Sequence, residues 1–225
     1  DHGIALDAAN ILGGLSTMFW ALMIVVSLKY VVLVMRADNR GEGGTMALLA
    51  LATTAIKKRP QLRLVVTLLG LVGASLFFGE TVLTPAISVV SAIEGLQVGT
   101  PLFERWVLPL SVLVLFGLFA LQRLGTAKVG AVFGPVCLLW FIALGAVGVW
   151  NIWLNPEVLA ALDPRHAYGF LTNHAFASFV VLGAVLLAFT GTESLYADMG
   201  HFGKRPIRIN WFLLVLPSLL LNYFG

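Results

Sequence analysis

The chain of 225 residues is 59% hydrophobic and 11% charged, with a mean hydropathy of +0.94. A soluble globular domain usually carries about 25% charged residues, so the composition excludes that class and indicates an integral membrane protein. The formal net charge of +3 does not indicate a nucleic-acid partner, because the basic residues lie in short loops between apolar segments. The single cysteine, Cys137, lies inside an apolar run, which excludes a disulfide framework.

Six apolar runs predict an all-α, polytopic membrane protein, since a hydrocarbon core of about 30 Å needs about 20 apolar residues in helical form. In chain order these runs are residues 11–35, 64–93, 106–121, 129–153, 175–199 and 207–224. We therefore predict that residues 1–225 form part of a single transmembrane transporter domain. The chain starts without Met and stops inside an apolar run, so we expect a fragment of a longer protein.

The basic residues predict the orientation of the chain. Of the 14 Lys and Arg residues, eleven lie on one side, ten of them in loops and Arg208 at the start of the last run; Arg105 and Arg165 lie on the other side, and Lys29 lies within a span. By the positive-inside rule, the loops 36–63, 122–128 and 200–206 are cytoplasmic, and the protein belongs in the inner or plasma membrane of the cell. The sequence RGEGGT at 40–45 lacks a phosphate-binding motif and predicts a cytoplasmic turn or gate, followed by a short helix that Thr45 caps.

The run at 175–199 is predicted to be a discontinuous helix. Its first fifteen residues carry no charge, but they cover only about 22 Å at 1.5 Å per residue. The sequence TGTES at 190–194 then places a flexible glycine and three hydroxyl side chains where a helix would have to continue. A glycine-interrupted apolar segment is typical of a transporter's substrate or ion site. The alternative is a short helix that ends at Gly191, with a solvated loop beyond it.

The first candidate site surrounds Glu80 in the second span. Helical spacing places Glu80, Thr84 and Ser88 on one face. Pro85 cannot donate a backbone hydrogen bond, which leaves the carbonyl of Thr81 without its usual partner. A carboxylate, hydroxyls and a free carbonyl are hard oxygen ligands that suit an alkali cation. The alternative is a protonated Glu80 that serves helix packing alone.

The second candidate site surrounds Glu193, in the interruption of the broken helix. Thr190 and the neighbouring carbonyls supply further oxygens, and the C-terminal end of the preceding half-helix favours a cation. Because burial disfavours the charged form of a carboxylate, Glu193 is the predicted proton-coupling residue. The alternative is that Glu193 forms a salt bridge with a loop base such as Lys204 and only orients the helix.

Three long motifs resemble the Kup/HAK/KT potassium uptake permeases, and the resemblance runs along the whole chain to NYFG at 222–225. The motifs are LVMRADNRGEGG at 33–44, FFGETVLTPAIS at 77–88 with SAIEG at 91–95, and TGTESLYADMGHFGK at 190–204. The resemblance implies proton-coupled potassium symport. It also implies the LeuT-like fold of the amino acid-polyamine-organocation (APC) transporters, with two inverted repeats of five helices.

On that scheme the chain corresponds to helices two to seven, and the family's first helix, with its Gly-Asp-x-Gly-Thr-Ser-Pro-x-Tyr motif, is not among these residues. The resemblance matches Glu80 and Thr84 to the family's acidic and hydroxyl positions in helix three, and Thr190 and Glu193 to its helix-six site. Together with the Thr81 carbonyl, the predicted potassium ligands are Glu80, Thr81, Thr84 and Thr190, and the predicted proton-coupling residue is Glu193. Tyr196 and Asp198 are candidates for an accessory role. The expected partners are potassium, protons and the lipid bilayer, with no nucleic acid, no cofactor and no other metal; a homodimer is left open.

Other functions are weighed against this one. A proton-coupled amino acid or polyamine transporter of the same fold is the nearest rival, and uptake of rubidium against amino acids separates the two. An ion channel is disfavoured because the chain lacks a TVGYG filter. An intramembrane protease is disfavoured because Asp198 has no second intramembrane aspartate. We therefore expect a transporter and not an enzyme.

Overall fold

A computed structural model describes residues 7–98, 105–121, 126–173 and 175–225. The regular structure of these residues is helical, apart from one isolated bridge between Asn39 and Glu42. The chain forms two compact units. The first consists of the described residues of Asp1–Pro60 and Leu139–Gly225, and the second of those of Gln61–Leu138. The predicted loop at 122–128 lies partly outside the described residues.

The first unit begins with one long helix. Helix α1 (Ala8–Ala21) starts where the Asp7 carboxylate accepts a hydrogen bond from the backbone N–H of Asn10 at 2.8 Å. It continues as a π-helical stretch (Leu22–Leu33) and a 3₁₀ turn (Val34–Arg36). Helix α2 (Gly44–Ala55) follows after a short loop. The predicted cap at Thr45 is wrong, because the N-cap is Gly43 and no side chain caps the helix.

The remaining elements of the first unit begin with the C-terminal half of α5. In chain order they are α5 (Thr126–Leu154, from Leu139 onward), a 3₁₀ helix (Pro156–Leu162), α6 (Pro164–Asn173), α7 (Ala175–Ala188), α8 (Ser194–Ala197), α9 (Met199–Phe202), α10 (Lys204–Asn210), a π-helical turn (Trp211–Val215) and α11 (Leu216–Phe224). From Lys204 to Phe224 these form one helix. We call it the last helix.

The core of the first unit joins the first helix, the last helix and the segment between α7 and α9. The indole N–H of Trp211 donates to the Ser27 hydroxyl at 3.0 Å. The Arg208 guanidinium donates to the carbonyls of Val31 at 2.9 Å and Val32 at 3.1 Å, at the end of the π-helical stretch. The core residues are Leu22, Val26, Val31, Met35, Val185, Phe189, Tyr196, Met199, Ile207, Trp211 and Leu216.

Small residues bring two further helices close to this core. Gly148 of α5 lies directly against the backbone of Leu221 and Asn222, so a β-carbon at this position has no room. Gly13 of α1 lies against the Phe170 ring of α6 in the same way. Close backbone approach at glycine is a common basis of helix packing in membranes, where burial from water contributes little between helices.

The second unit contains α3 (Pro60–Glu94), a 3₁₀ helix (Gly95–Val98), α4 (Val107–Leu121) and the start of α5. Helix α3 is 35 residues long and includes Pro85 in its interior. Large apolar side chains of α3 are highly exposed, with Leu76 at 71% and Phe78 at 72%. Such surfaces suit contact with lipid, which replaces water around a spanning helix.

Four described helices are long and apolar enough to cross a membrane, and they are Ala8–Arg36, Pro60–Glu94, Phe133–Leu154 and Lys204–Phe224. Shorter apolar helices occupy Gly44–Ala55, Val107–Leu121 and Ser178–Ala188. Two of the predicted spans, 106–121 and 175–199, therefore contain helices shorter than a full crossing. This architecture fits a polytopic membrane protein.

Candidate functional site

The helix that begins at Ala175 ends at Ala188, and the chain then leaves regular helical geometry. The N–H groups of Phe189 and Thr190 bond three residues back, to Leu186 and Leu187, which tightens the end of α7. Gly191 has a φ of +86°, in the left-handed region that favours glycine. Gly203, with a φ of +76°, separates α9 from the last helix. We call residues 189–203 the break segment.

The break segment is not the solvated loop of the alternative interpretation. Two single-turn helices, α8 and α9, follow the non-helical stretch. Their side chains Tyr196 and Met199 are 4% and 2% exposed and belong to the core of the first unit. The segment is therefore a packed part of the fold.

Hydroxyl groups line the break and bond to its own backbone. Thr190 donates to the Leu186 carbonyl at 2.9 Å, Thr192 to the Phe189 carbonyl at 2.9 Å and Ser194 to the Gly191 carbonyl at 2.6 Å. Each hydroxyl oxygen keeps lone pairs after it donates its hydrogen. The break therefore combines several oxygen acceptors with the negative end of α7.

Glu193 lies immediately before the point where the helical backbone resumes. It is the N-cap residue of α8, it is half-buried, and its carbonyl accepts a bond from the Tyr196 N–H at 3.1 Å. The alternative in which Glu193 pairs with Lys204 is wrong, because Lys204 pairs with Asp38 at 3.5 Å. Among the described residues, the Glu193 carboxylate forms no ion pair.

The two candidate accessory residues differ in their contacts. The Tyr196 hydroxyl donates to the Ala37 carbonyl at 2.6 Å, so it ties the break segment to the loop before α2. Asp198 lies between α8 and α9, where its carbonyl accepts bonds from the N–H groups of His201 and Phe202. The side chain of Asp198 is half-buried, one turn beyond Glu193.

The loop of residues 37–43, which we call the docking loop, lies against α8 and α9. Gly43 lies directly against the Tyr196 carbonyl, and Gly44, the first residue of α2, lies against Ala197. The Glu42 carboxylate lies so close to Gly200 that a β-carbon there would be 2.5 Å from it. Sequence reasoning predicted a turn or gate in this loop but missed its partner; the only sequence signal is the presence of glycines on both sides.

The first candidate site lies in the second unit, on the regular backbone of α3. Glu80, Thr81 and Thr84 all lie on this helix, in the two turns around Pro85. The Thr81 hydroxyl donates to the Phe78 carbonyl at 2.7 Å. Glu80 and Thr84 are half-buried, and one oxygen of the Glu80 carboxylate is fully buried. Glu80 and Thr84, four residues apart, share a face of α3, whereas the neighbouring Thr81 is exposed.

A chain with four helices that can cross a bilayer, and with a further apolar helix broken at a carboxylate, is a multi-pass membrane protein. All 225 residues match the family described as the K+ potassium transporter integral membrane domain. The chain belongs to this family, as its resemblance to the Kup/HAK/KT permeases led us to expect.

Curated relatives agree with this family over the whole chain. The chain is 62% identical over 224 residues to a protein named probable potassium transport system protein Kup 2 of Cupriavidus necator. It is 55% identical to a protein of the same name from Paramagnetospirillum magneticum and 56% identical to the probable potassium transport system protein Kup of Thiobacillus denitrificans. These alignments cover 100% of this chain and 35% or 36% of each relative, so the chain spans about a third of their length. No solved structure matches the chain.

Proposed function

We propose that the complete protein takes up potassium across the cell's inner membrane by symport with protons. The family and the printed names of the relatives support potassium as the transported ion. The observation that carries the proposal is the break after α7, where Glu193 stands among hydroxyls and backbone carbonyls. Non-helical backbone is tolerated at membrane depth where it lines a cavity or an ion site.

Potassium binding is assigned to hard oxygen ligands. Glu80 supplies negative charge, Thr81 and Thr84 supply oxygens beside it on α3, and Thr190 supplies a hydroxyl at the end of α7. The Thr81 and Thr190 hydroxyls already donate to their own helices, so their oxygens keep lone pairs that a cation could use. Oxygens of this kind replace the hydration shell of an alkali cation.

Proton coupling is assigned to Glu193. The assignment rests on its position, a half-buried carboxylate at the break that has no ion pair in the described part of the chain. Asp198 and Tyr196 serve as accessory residues, Asp198 as a second carboxylate nearby and Tyr196 as the support of the turn that begins at Glu193.

The architecture proposed for the complete protein is the LeuT-like fold of the APC transporters, with two inverted repeats of five helices. The break segment would then belong to the sixth helix, and its discontinuity is what this fold requires at the substrate site. The protein acts as a transporter in the lipid bilayer, not as an enzyme, without a cofactor, and a homodimer is compatible with this assignment.

The test is uptake of labelled rubidium by the complete protein in cells that lack their own potassium transport. We expect saturable uptake that a proton gradient drives and that unlabelled potassium inhibits. Uptake of labelled amino acids or polyamines, with no rubidium uptake, would establish the rival function instead. A protein without the break-segment carboxylate, Glu193→Gln, is the matched control for proton dependence.

A further inference from the structure

The docking loop has a shape that its own residues fix. Asn39 and Glu42 exchange both backbone hydrogen bonds at 3.1 Å, and the two residues between them, Arg40 and Gly41, have φ angles of +60° and +90°. This is the pattern of a tight type I′ turn. The Asp38 carboxylate accepts a further bond from the Gly41 N–H. A loop that is ordered by its own bonds loses little conformational entropy when it docks.

The contact between the docking loop and the break segment leaves no space for side chains. Gly43 lies against the Tyr196 carbonyl, and a β-carbon added to Gly43 would also lie 3.2 Å from the Met199 β-carbon. On the other side of the contact, Gly200 lies under the Glu42 carboxylate. Both surfaces therefore carry a glycine at the contact. A methyl group at Gly43 would meet the backbone of Tyr196 and separate the surfaces, whereas one at Gly200 would meet only the flexible end of the Glu42 side chain.

Two polar tethers hold this contact at its ends. The buried Tyr196 hydroxyl donates to the Ala37 carbonyl at 2.6 Å. The Lys204 ammonium pairs with the Asp38 carboxylate at 3.5 Å, where the two side chains are 49% and 33% exposed. An exposed ion pair contributes little to stability, so the hydrogen bond and the glycine contacts carry most of the attachment.

We propose that the docking loop is a releasable latch on the break segment. When the loop is docked, it covers Met199 and fixes Tyr196, whose N–H closes the turn that begins at the Glu193 carbonyl. When the loop is released, Met199 and this turn become accessible from the loop side. The consequence for transport, a gate between Glu193 and the cytoplasm, rests on the proposed function, whereas the docking itself does not.

Alkylation of a cysteine introduced by Met199→Cys tests the latch without any transport measurement. The complete protein, freed of its other cysteines and carrying this substitution, is treated with N-ethylmaleimide in its membrane. We expect slow alkylation, because Met199 is 2% exposed. Tyr196→Phe removes one hydrogen bond and keeps the ring, so it should accelerate alkylation by about three- to tenfold. Gly43→Ala cannot fit against the Tyr196 carbonyl and should accelerate it further, toward the rate of a cysteine that replaces the exposed His201.

Three controls separate release of the latch from general loosening. Tyr168→Phe and Gly14→Ala make the same chemical changes where the tyrosine is exposed and the glycine has open space, and they should leave the alkylation rate at position 199 unchanged. A cysteine introduced by Ala161→Cys, at a fully buried position of the 3₁₀ helix Pro156–Leu162, should remain protected in every variant.

An unchanged alkylation rate at position 199 in both Tyr196→Phe and Gly43→Ala would overturn the latch, and so would an equal acceleration at position 161. If either variant expresses poorly, Lys204→Gln provides a further test, because it removes the ion pair with Asp38 and leaves the core unchanged. It should accelerate alkylation at position 199 by less than Tyr196→Phe does. Failure of the wild-type protein to take up rubidium would contradict the proposed function while leaving the alkylation result to decide the latch.

Discussion

The two candidate carboxylates lie on backbones of opposite kinds. Glu80 lies on a 35-residue helix, in which Pro85 withholds one donor and the other backbone groups follow the helical pattern. Glu193 follows a helix that ended five residues earlier, and the helix after it lasts a single turn. The threonines beside them behave alike, since Thr81 and Thr190 both donate to their own backbone.

The difference therefore lies in the main chain and not in the side chains. Around Glu80 the available oxygens are those of side chains and the Thr81 carbonyl. The charged carboxylate would therefore be the strongest ligand for an ion at this site. Around Glu193 the break adds the hydroxyl oxygens of Thr190, Thr192 and Ser194, which keep lone pairs, so a cation proposed there would depend less on the carboxylate. This division is the physical basis for assigning ion binding to Glu80 and proton exchange to Glu193, and four predictions can break or sharpen it.

The largest effect is expected from Glu193→Gln in the complete protein. Proton-driven accumulation of rubidium should fall by about 100-fold or more, because an amide cannot take up the proton. Potassium binding measured by calorimetry should persist, since the break keeps its carbonyl and hydroxyl oxygens. Glu157→Gln, at an exposed glutamate of the 3₁₀ helix Pro156–Leu162, is the matched control. Loss of binding in Glu193→Gln, with accumulation intact in Glu80→Gln, would reverse the two roles.

The next largest effect is expected from Glu80→Gln. The apparent KM for potassium should rise by about tenfold or more, because a hydrogen bond or contact to a charged group is worth about 1.5–3 kcal/mol. The pH dependence of uptake should stay that of the wild-type protein. Glu94→Gln makes the same change at the exposed end of the same helix and should leave KM unchanged. A wild-type KM for Glu80→Gln would remove Glu80 from the ion site.

Replacing glycine by alanine should change the free energy of unfolding in opposite directions in the break segment and in α3. Gly191→Ala places a β-carbon at a φ of +86° and should lower the unfolding free energy by about 1–2 kcal/mol. Gly79→Ala replaces a helical glycine that has nothing within 4 Å, so it should raise that free energy by up to about 1 kcal/mol. Thermal unfolding in detergent measures both. Equal shifts of Tm in the same direction would show that the break is no more constrained than α3.

The smallest effect is expected from Thr190→Val. It keeps the shape of the side chain and removes one oxygen among several, so KM for rubidium should rise by only about two- to fivefold, the range of one net hydrogen bond. Thr53→Val is the control, because the Thr53 hydroxyl also donates to its own helix, to the Leu49 carbonyl at 2.8 Å. A rise as large as that of Glu80→Gln would mean that the break, and not α3, dominates ion binding.

The sequence could predict what depends on neighbouring residues. The length of the apolar run before Gly191 predicts a helix too short to span, and α7 does end at Ala188. The largely apolar run of thirty residues at 64–93 predicts a long helix, and α3 covers Pro60–Glu94. In both cases hydrophobicity and a single glycine or proline determine the local structure.

The sequence could not predict contacts between distant segments. The Tyr196 hydroxyl and the Ala37 carbonyl are 159 positions apart, and no spacing rule connects them. Lys204 was a candidate partner of Glu193, yet it pairs with Asp38 because the docking loop brings that residue to it. Thr45 carries a good capping side chain, yet the helix begins at Gly44, two residues earlier than a cap at Thr45 would place it, and Gly43 and Gly44 lie against the break segment. Tertiary packing overrode the local preference in each case.

The bond between Trp211 and Ser27 joins residues that are 184 positions apart, and it has a consequence for the synthesis of the protein. At about 5–20 residues per second, roughly 10 to 40 seconds pass between the emergence of Ser27 from the ribosome and that of Trp211. Arg208, which binds the carbonyls of Val31 and Val32, arrives at almost the same time. Until the last helix is synthesised, the Ser27 hydroxyl and the carbonyls of Val31 and Val32 in the first helix must therefore be satisfied by temporary contacts.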